Sequence, residues 1–313
     1  METKVGSLDC LFLQDPISGG SVTVSLFGAT ILSFLPSSSS DSLLFLSSSS
    51  HLDKSKPIRG GIPLIFPSFN AGDIPKDMPT HQYVPSESSE LPKHGFARNL
   101  NWSLVKKSSF SMTLELKSNE ETLALWNYVF HLVYTITIIP SKDTKSISLQ
   151  SELSVHNTDN LKSFQFQALM HTYLNIPVSM QDVSIEGLEG VSYMDQVNHR
   201  NIGKQETKVL KIGNEVDSIF INAPDKINVC MGNKQKILVE KKVILSLNEM
   251  ENSPSDVVIW NPWMNKAKSM SDFNDEEYTQ MVCVEPGVVS RYTELQPNEV
   301  WRLCQRLTVS EME

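Results

Sequence analysis

Tyr128-Val129-Phe130-His131-Leu132-Val133-Tyr134-Thr135-Ile136-Thr137-Ile138-Ile139, followed by Ser146-Ile147-Ser148-Leu149-Gln150-Ser151-Glu152-Leu153-Ser154-Val155, reads as a long β-hairpin. β-Branched and aromatic residues favour a pleated, half-buried surface, and residues 140–145 supply the turn. The same grammar recurs outward from this hairpin. Residues 22–34 alternate with period two and break at Gly28, which predicts two strands with a bend between them. Residues 43–46, 164–174, 216–220 and 300–309 each predict a strand, and residues 236–247 predict two strands around Glu240-Lys241-Lys242. Residues 257–263 predict a buried strand with a break, and only residues 119–125 suggest a helical turn. Short strands with turn signals at roughly 8–12-residue spacing point to an all-β sandwich. No composition shift marks a linker, so residues 1–313 are expected to form one domain, with a long Pro-, Ser- and acid-rich loop at about 70–90.

The chain carries a net charge of -9 over 313 residues, 40% of them hydrophobic, an ordinary globular composition. That acidity argues against nucleic acid and against an anionic membrane surface as partners. A small anionic ligand needs only a local gathering of basic residues. The four cysteines, Cys10, Cys230, Cys283 and Cys304, are far apart and form no C-x-x-C pair. Reduced thiols in a cytoplasmic protein are the expectation, and no metal site is expected because no His/Cys cluster shows ligand spacing. The N-terminus shows no signal-peptide pattern, and no run of about 18 apolar residues predicts a membrane span.

Chemistry-bearing residues cluster in a few short segments. Met281-Val282-Cys283-Val284-Glu285-Pro286-Gly287-Val288-Val289 predicts a strand ended by its Pro-Gly, with Glu285 held at the strand end among apolar groups. Burial raises a carboxyl pKa toward the range of a general base, whereas a solvated or Arg-paired Glu is the plainer alternative. His171 is either a proton carrier or a core histidine bonded to a carbonyl. Arg59, before Gly60-Gly61, and Arg98, near Lys93 and His94, can match phosphate geometry or make ordinary ion pairs. Asp217 can accept from a sugar hydroxyl or serve a turn. Trp260, Trp263 and Tyr173 either line a sugar-sized pocket or fill core.

Five of these segments, in order, resemble the aldose 1-epimerase (galactose mutarotase-like) superfamily, and within it the glucose-6-phosphate 1-epimerase branch. They are Arg59-Gly60-Gly61-Ile62-Pro63 with Phe66-Pro67, His94-Gly95-Phe96-Ala97-Arg98-Asn99, His171-Thr172-Tyr173, Trp260-Asn261-Pro262-Trp263 and Val284-Glu285-Pro286-Gly287. The resemblance implies a large antiparallel β-sandwich with its site in a cleft on one face. It implies that Glu285 is the base and His171 the acid, with Arg59, His94, Arg98 and Asp217 around the substrate. Lys93 stands where close relatives usually carry Gln, and adds a charge there.

The activity so implied is interconversion of the α and β anomers of a hexose 6-phosphate by a monomer without a cofactor. Ionised Glu285 would take the C1 hydroxyl proton while protonated His171 gives one to the ring oxygen. An epimerase of unphosphorylated aldoses and a non-catalytic carbohydrate-binding module are the alternatives. A hydrolase would need two carboxylates flanking the scissile bond rather than Glu and His.

Overall fold

The computed structural model describes residues 2–70, 91–141, 146–232, 235–245 and 253–311. The loop expected at about 70–90 lies outside them apart from Asn70, as do most of the hairpin turn and Asn233 of the expected Gly232-Asn233 turn.

Among the described residues, three antiparallel sheets of four, eight and nine strands dominate the structure. The hairpin arms, Phe130–Pro140 and Ile147–Asn157, pair over their whole length in the middle of the nine-stranded sheet. One face of that hairpin sends Leu132, Tyr134, Ile136, Leu149 and Leu153 into the main core. The opposite face is polar, with hydroxyl pairs such as Thr113 and Thr135 at 3.2 Å. Period-two alternation therefore lays the sheet over the core with one wet side, as in other antiparallel sandwiches.

The eight-stranded sheet packs against that core with its other face in use. Along Met281–Leu295, Val282, Val284 and Val288 join the main core, while Met281, Cys283 and Val289 join a second, smaller cluster. The neighbouring Asp256–Asn261 strand divides likewise: Val257 and Ile259 point to the main core, Val258 and Trp260 to the second cluster. A sheet buried on both faces explains why these strands read as continuous apolar runs. The second face carries the candidate site.

Several expected elements take a different form. Residues 43–46 form no ladder, only single bridges from Leu44 to Leu174 and Leu46 to Gly60. Residues 235–245 form one strand, not two. Lys241 takes a core-facing position there because its ammonium donates to Ala223 O at 2.8 Å and to Ser255 Oγ at 2.6 Å. A satisfied buried charge does not interrupt a strand. Trp263 leaves the sheet to begin a short helix, Trp263–Ala267, and packs on Tyr278 with ring centroids 5.2 Å apart.

The largest correction concerns Pro286-Gly287. The strand does not stop there; it runs on to Leu295. The interruption falls on its neighbour, which pairs as Phe164–Met170, breaks at His171-Thr172 and resumes as Tyr173–Asn175. Leu169 pairs with Gly287 before the break and Tyr173 with Cys283 after it. The register is thus preserved, setting Met170 opposite Pro286 and His171 opposite Glu285. Proline has no N–H to give the ladder, so the pairing opens at Pro286.

Candidate active site

At that opening, His171 Nδ1 approaches Glu285 Oε1 to 3.3 Å, with both side chains buried. The approach is not aligned as a hydrogen bond, and neither Glu285 oxygen nor His171 Nδ1 finds a hydrogen-bond partner among the described residues. The imidazole is held flat on the Tyr173 ring, centroids 4.6 Å apart and 11° between planes, with Trp260 edge-on at 5.9 Å. The His171 N–H donates to Pro63 O at 3.0 Å, and Thr172 O accepts from Val284 N at 3.1 Å. The break in the ladder is therefore stitched from the Pro63 segment and from the facing strand.

Burial pushes the Glu285 carboxyl well above the usual carboxylate range; Asp217 adds to the rise and Arg98 opposes it. Burial also holds His171 well below its ordinary value, and Arg59, Arg98 and Lys93 depress it further. Both directions favour a resting pair with its proton on Glu285 beside a neutral imidazole. That resting state differs from the ionised Glu and protonated His anticipated for turnover, although both carry the same number of protons.

His171 and Glu285 line a partly open pocket together with Arg59, Lys93, His94 and Asp217. Six of the seven residues expected from the sequence thus share one cavity wall, and Arg98 stands behind it. The Arg98 guanidinium donates to Lys93 O at 2.8 Å, and its Nε is buried without a partner among the described residues. Burial and the nearby Arg59 lower Arg98 to about 10.

Arg59 is less available than its sequence context suggests. Its Nε and one terminal nitrogen reach Asp272 Oδ2 at 3.1 and 3.0 Å, and the other terminal nitrogen donates to Tyr173 Oη at 3.0 Å. Its charge is largely balanced before any ligand arrives. Ser50 Oγ accepts from Arg59 N at 2.9 Å, so the second serine tract helps hold the Arg59 turn. His94 and Gly95 both lie in the left-handed region, at φ 67° and 69°. A Cβ at Gly95 would stand 2.1 Å from Phe66 O, so only glycine fits. This turn presents His94, whose Nδ1 accepts from Asn70 N at 3.1 Å, leaving Nε2 as the protonated nitrogen. Burial, then Arg98 and His171, keep this imidazole neutral.

Asp217 lies on Val216–Phe220, opposite Trp260 in register. Burial raises its carboxyl to about 6, against the pull of Lys266 and Lys93. Desolvation in turn lowers Lys93, with Asp217 opposing and the surrounding cations adding to the drop. Lys266, on the short helix after Trp263, carries no sequence signal of a site; it lines the pocket while reaching Glu215 at 3.1 Å. Nothing in its local pattern distinguishes it from other surface lysines. Trp260 lines the pocket and Tyr173 lies under His171, whereas Trp263 is not part of the pocket wall. The fold also does what sequence spacing does not suggest: ligand atoms of His171, Cys283 and Glu285 lie within 4.8 Å of one another.

Comparison with known proteins finds relatives in sequence and in fold. A relative from Cenchrus ciliaris, provisionally named glucose-6-phosphate 1-epimerase, is 33% identical over 288 residues, covering 89% of this chain and 78% of its own. One of the same provisional name from Escherichia coli K12 is 27% identical over 312 residues, covering 98% and 92%. A crystal structure from Salmonella typhimurium, provisionally titled a mutarotase, superimposes with a TM-score of 0.79 at 23% identity, covering 99% and 93%. Galactose 1-epimerase from Lactobacillus acidophilus shares the fold at a TM-score of 0.70 and 15% identity, covering 100% and 98%. The profile of the aldose 1-epimerase family matches residues 9–308, and the chain belongs to that family of sugar isomerases.

Proposed function

We propose that this protein interconverts the α and β anomers of a hexose 6-phosphate, with Glu285 and His171 exchanging protons with the sugar. The observation that carries the reading is the cross-strand pair itself, a carboxyl and an imidazole at 3.3 Å in one pocket wall. Glu285 takes the proton of the C1 hydroxyl and His171 protonates the ring oxygen. The C1–O5 bond opens, the aldehyde turns about C1–C2, and the ring closes on its other face by the reverse transfers. Each proton transfer contributes about 10²–10⁴-fold.

The substrate helps set the starting protonation. Burial and three cations favour neutral His171 in the bare pocket. A phosphate dianion beside Lys93 and Arg98 offsets that positive field, and sugar hydroxyls donating to Glu285 stabilise its anion. Both changes move the shared proton from Glu285 to His171. Lys93 and Arg98 are assigned the phosphate. Arg59 is assigned to the sugar wall, since Asp272 and Tyr173 already hold it. Asp217 and the Nε2–H of His94 take ring hydroxyls, and Trp260 supplies an apolar edge.

We further propose that residues 1–313 act as one domain, as a cytoplasmic monomer, consistent with four free cysteines and with no described helix long and apolar enough to cross a membrane. The test is two-dimensional exchange NMR of anomeric protons on glucose 6-phosphate beside glucose and galactose. Faster exchange of the phosphorylated sugar alone is expected. Equal acceleration of all three would shift the reading to a general aldose epimerase. Line broadening without exchange would leave a carbohydrate-binding protein.

A further inference from the structure

Cys283 has no part in the sugar chemistry above, yet it sits against the pair that does. It lies two residues before Glu285 on one strand, so both side chains leave the same face of the sheet. His171 stands opposite Glu285 across the opened ladder. All three are buried, and a nitrogen, a sulfur and a carboxylate oxygen converge to within 4.8 Å of one another. His171 Nδ1 and the two Glu285 oxygens have no hydrogen-bond partner among the described residues.

We propose that His171, Cys283 and Glu285 bind a thiophilic divalent cation such as Zn²⁺, and that its binding blocks the acid/base pair. Zinc takes nitrogen at about 2.0–2.1 Å and carboxylate oxygen at about 2.0–2.2 Å in a tetrahedron. The edge between two such ligands is about 3.3 Å, the separation seen between His171 Nδ1 and Glu285 Oε1. Cys283 is the softest donor and selects zinc-like ions over magnesium or calcium, which prefer all-oxygen sites. The fourth position is left to water.

The charge balance favours such an ion. Binding as thiolate and carboxylate releases to solvent any proton that either group holds. Thiolate, carboxylate and neutral imidazole then carry two negative charges against the ion's two positive ones. The complex is neutral, adds no net charge beside Arg98 and Lys93, and involves no change of oxidation state. Sugar and metal compete, because both need Glu285 and His171.

Cobalt(II) titration of the full-length protein tests this without reference to turnover. A thiolate-to-cobalt charge-transfer band in the near ultraviolet is expected, with tetrahedral visible bands, both absent in Cys283→Ala and weakened in Glu285→Gln. Absence of the band in the unmutated protein, or its persistence in Cys283→Ala, overturns the proposal. In the exchange assay, Zn²⁺ should inhibit the unmutated enzyme, and Cys283→Ala should keep basal exchange while needing at least about tenfold more zinc. Equal sensitivity of both also overturns it. If Cys283→Ala does not fold, a weakened or lost cobalt band in Glu285→Gln is the supporting result and an unchanged band the contrary one. Failure to epimerise any sugar would sink the proposed function but leave the cobalt spectrum to decide the metal site.

Discussion

Two carboxylates lie buried in the same sheet, on adjacent strands, and they are treated in opposite ways. Asp256 is fully buried and saturated: Val289 N and Ser290 N donate to Oδ2 at 2.9 and 2.8 Å, and Asn222 N donates to Oδ1 at 3.1 Å. Arg291 stands 3.8 Å away. The pairing of its strand with Met281–Leu295 ends at Asp256 and Gly287, and the side chain takes over the N–H groups just beyond. Glu285, paired in register with Val258 two positions along, is just as buried and has no hydrogen bond among the described residues. Burial of a charge is expensive in both cases. At Asp256 the backbone offsets that cost and the result is structure. At Glu285 no described hydrogen bond offsets it and only the more distant Arg98 opposes it, so the carboxyl is pushed toward its protonated form, and the result is a group ready to exchange a proton.

Replacing each carboxylate should therefore give opposite results. The largest effect is expected from Glu285→Gln, which keeps shape and removes proton exchange. Anomer exchange should fall by about 10²–10⁴-fold, while the melting temperature stays level or rises, because an unsatisfied acid has been removed. A normal exchange rate would mean Glu285 is not the base. Asp256→Ala should do the reverse. It strands three backbone donors, at a cost of about 3–5 kcal/mol in denaturant unfolding, with turnover per folded molecule near normal. A mild loss of stability there would show that the contrast lies in strand position and not in pairing.

This contrast also shows what could be read from the chain alone. The strands were legible because alternation in 128–139 and 146–155 reports a sheet with one wet face. Glu285 was legible as a carboxyl in an apolar run. Its position was misread because Pro-Gly ordinarily ends a strand, and here Pro286 opens the ladder on one side only. The pairing of His171 with Glu285 follows from a register that no local pattern records. Lys241 was misread for a related reason, since whether a charge breaks a strand depends on acceptors such as Ser255, distant in sequence. Arg59 and Arg98 were both found, but the Asp272 that engages Arg59 is a tertiary fact, 213 residues away in sequence.

Lys93 sharpens the comparison from the ligand side. If Glu285 is left bare so that a substrate can complete it, a cation placed to receive the phosphate should affect binding more than chemistry. Lys93→Ala is expected to raise KM for a hexose 6-phosphate by about tenfold, with kcat less affected and the free hexose little changed. An equal rise for both sugars would place the phosphate elsewhere.

Asp217 stands between the two extremes: half-buried, close to Lys93 and Lys266, and raised to about 6. Its unfolded value is about 3.9. Between those values the native protein holds a proton that the unfolded chain has released, so this residue's contribution to stability declines as pH rises from about 4 to about 6 and levels off above. A rise of that size corresponds to at most about 3 kcal/mol, and the partial exposure of Asp217 reduces that to about 1 kcal/mol. Asp217→Asn should remove this part of the slope, measured as the difference between urea midpoints at pH 4.5 and pH 7. Glu285 titrates with the same sign, so the unmutated protein and Asp217→Asn must be compared at both pH values. An unchanged difference would mean that Lys93 and Lys266 already compensate Asp217 fully, placing it with Asp256 and not with Glu285.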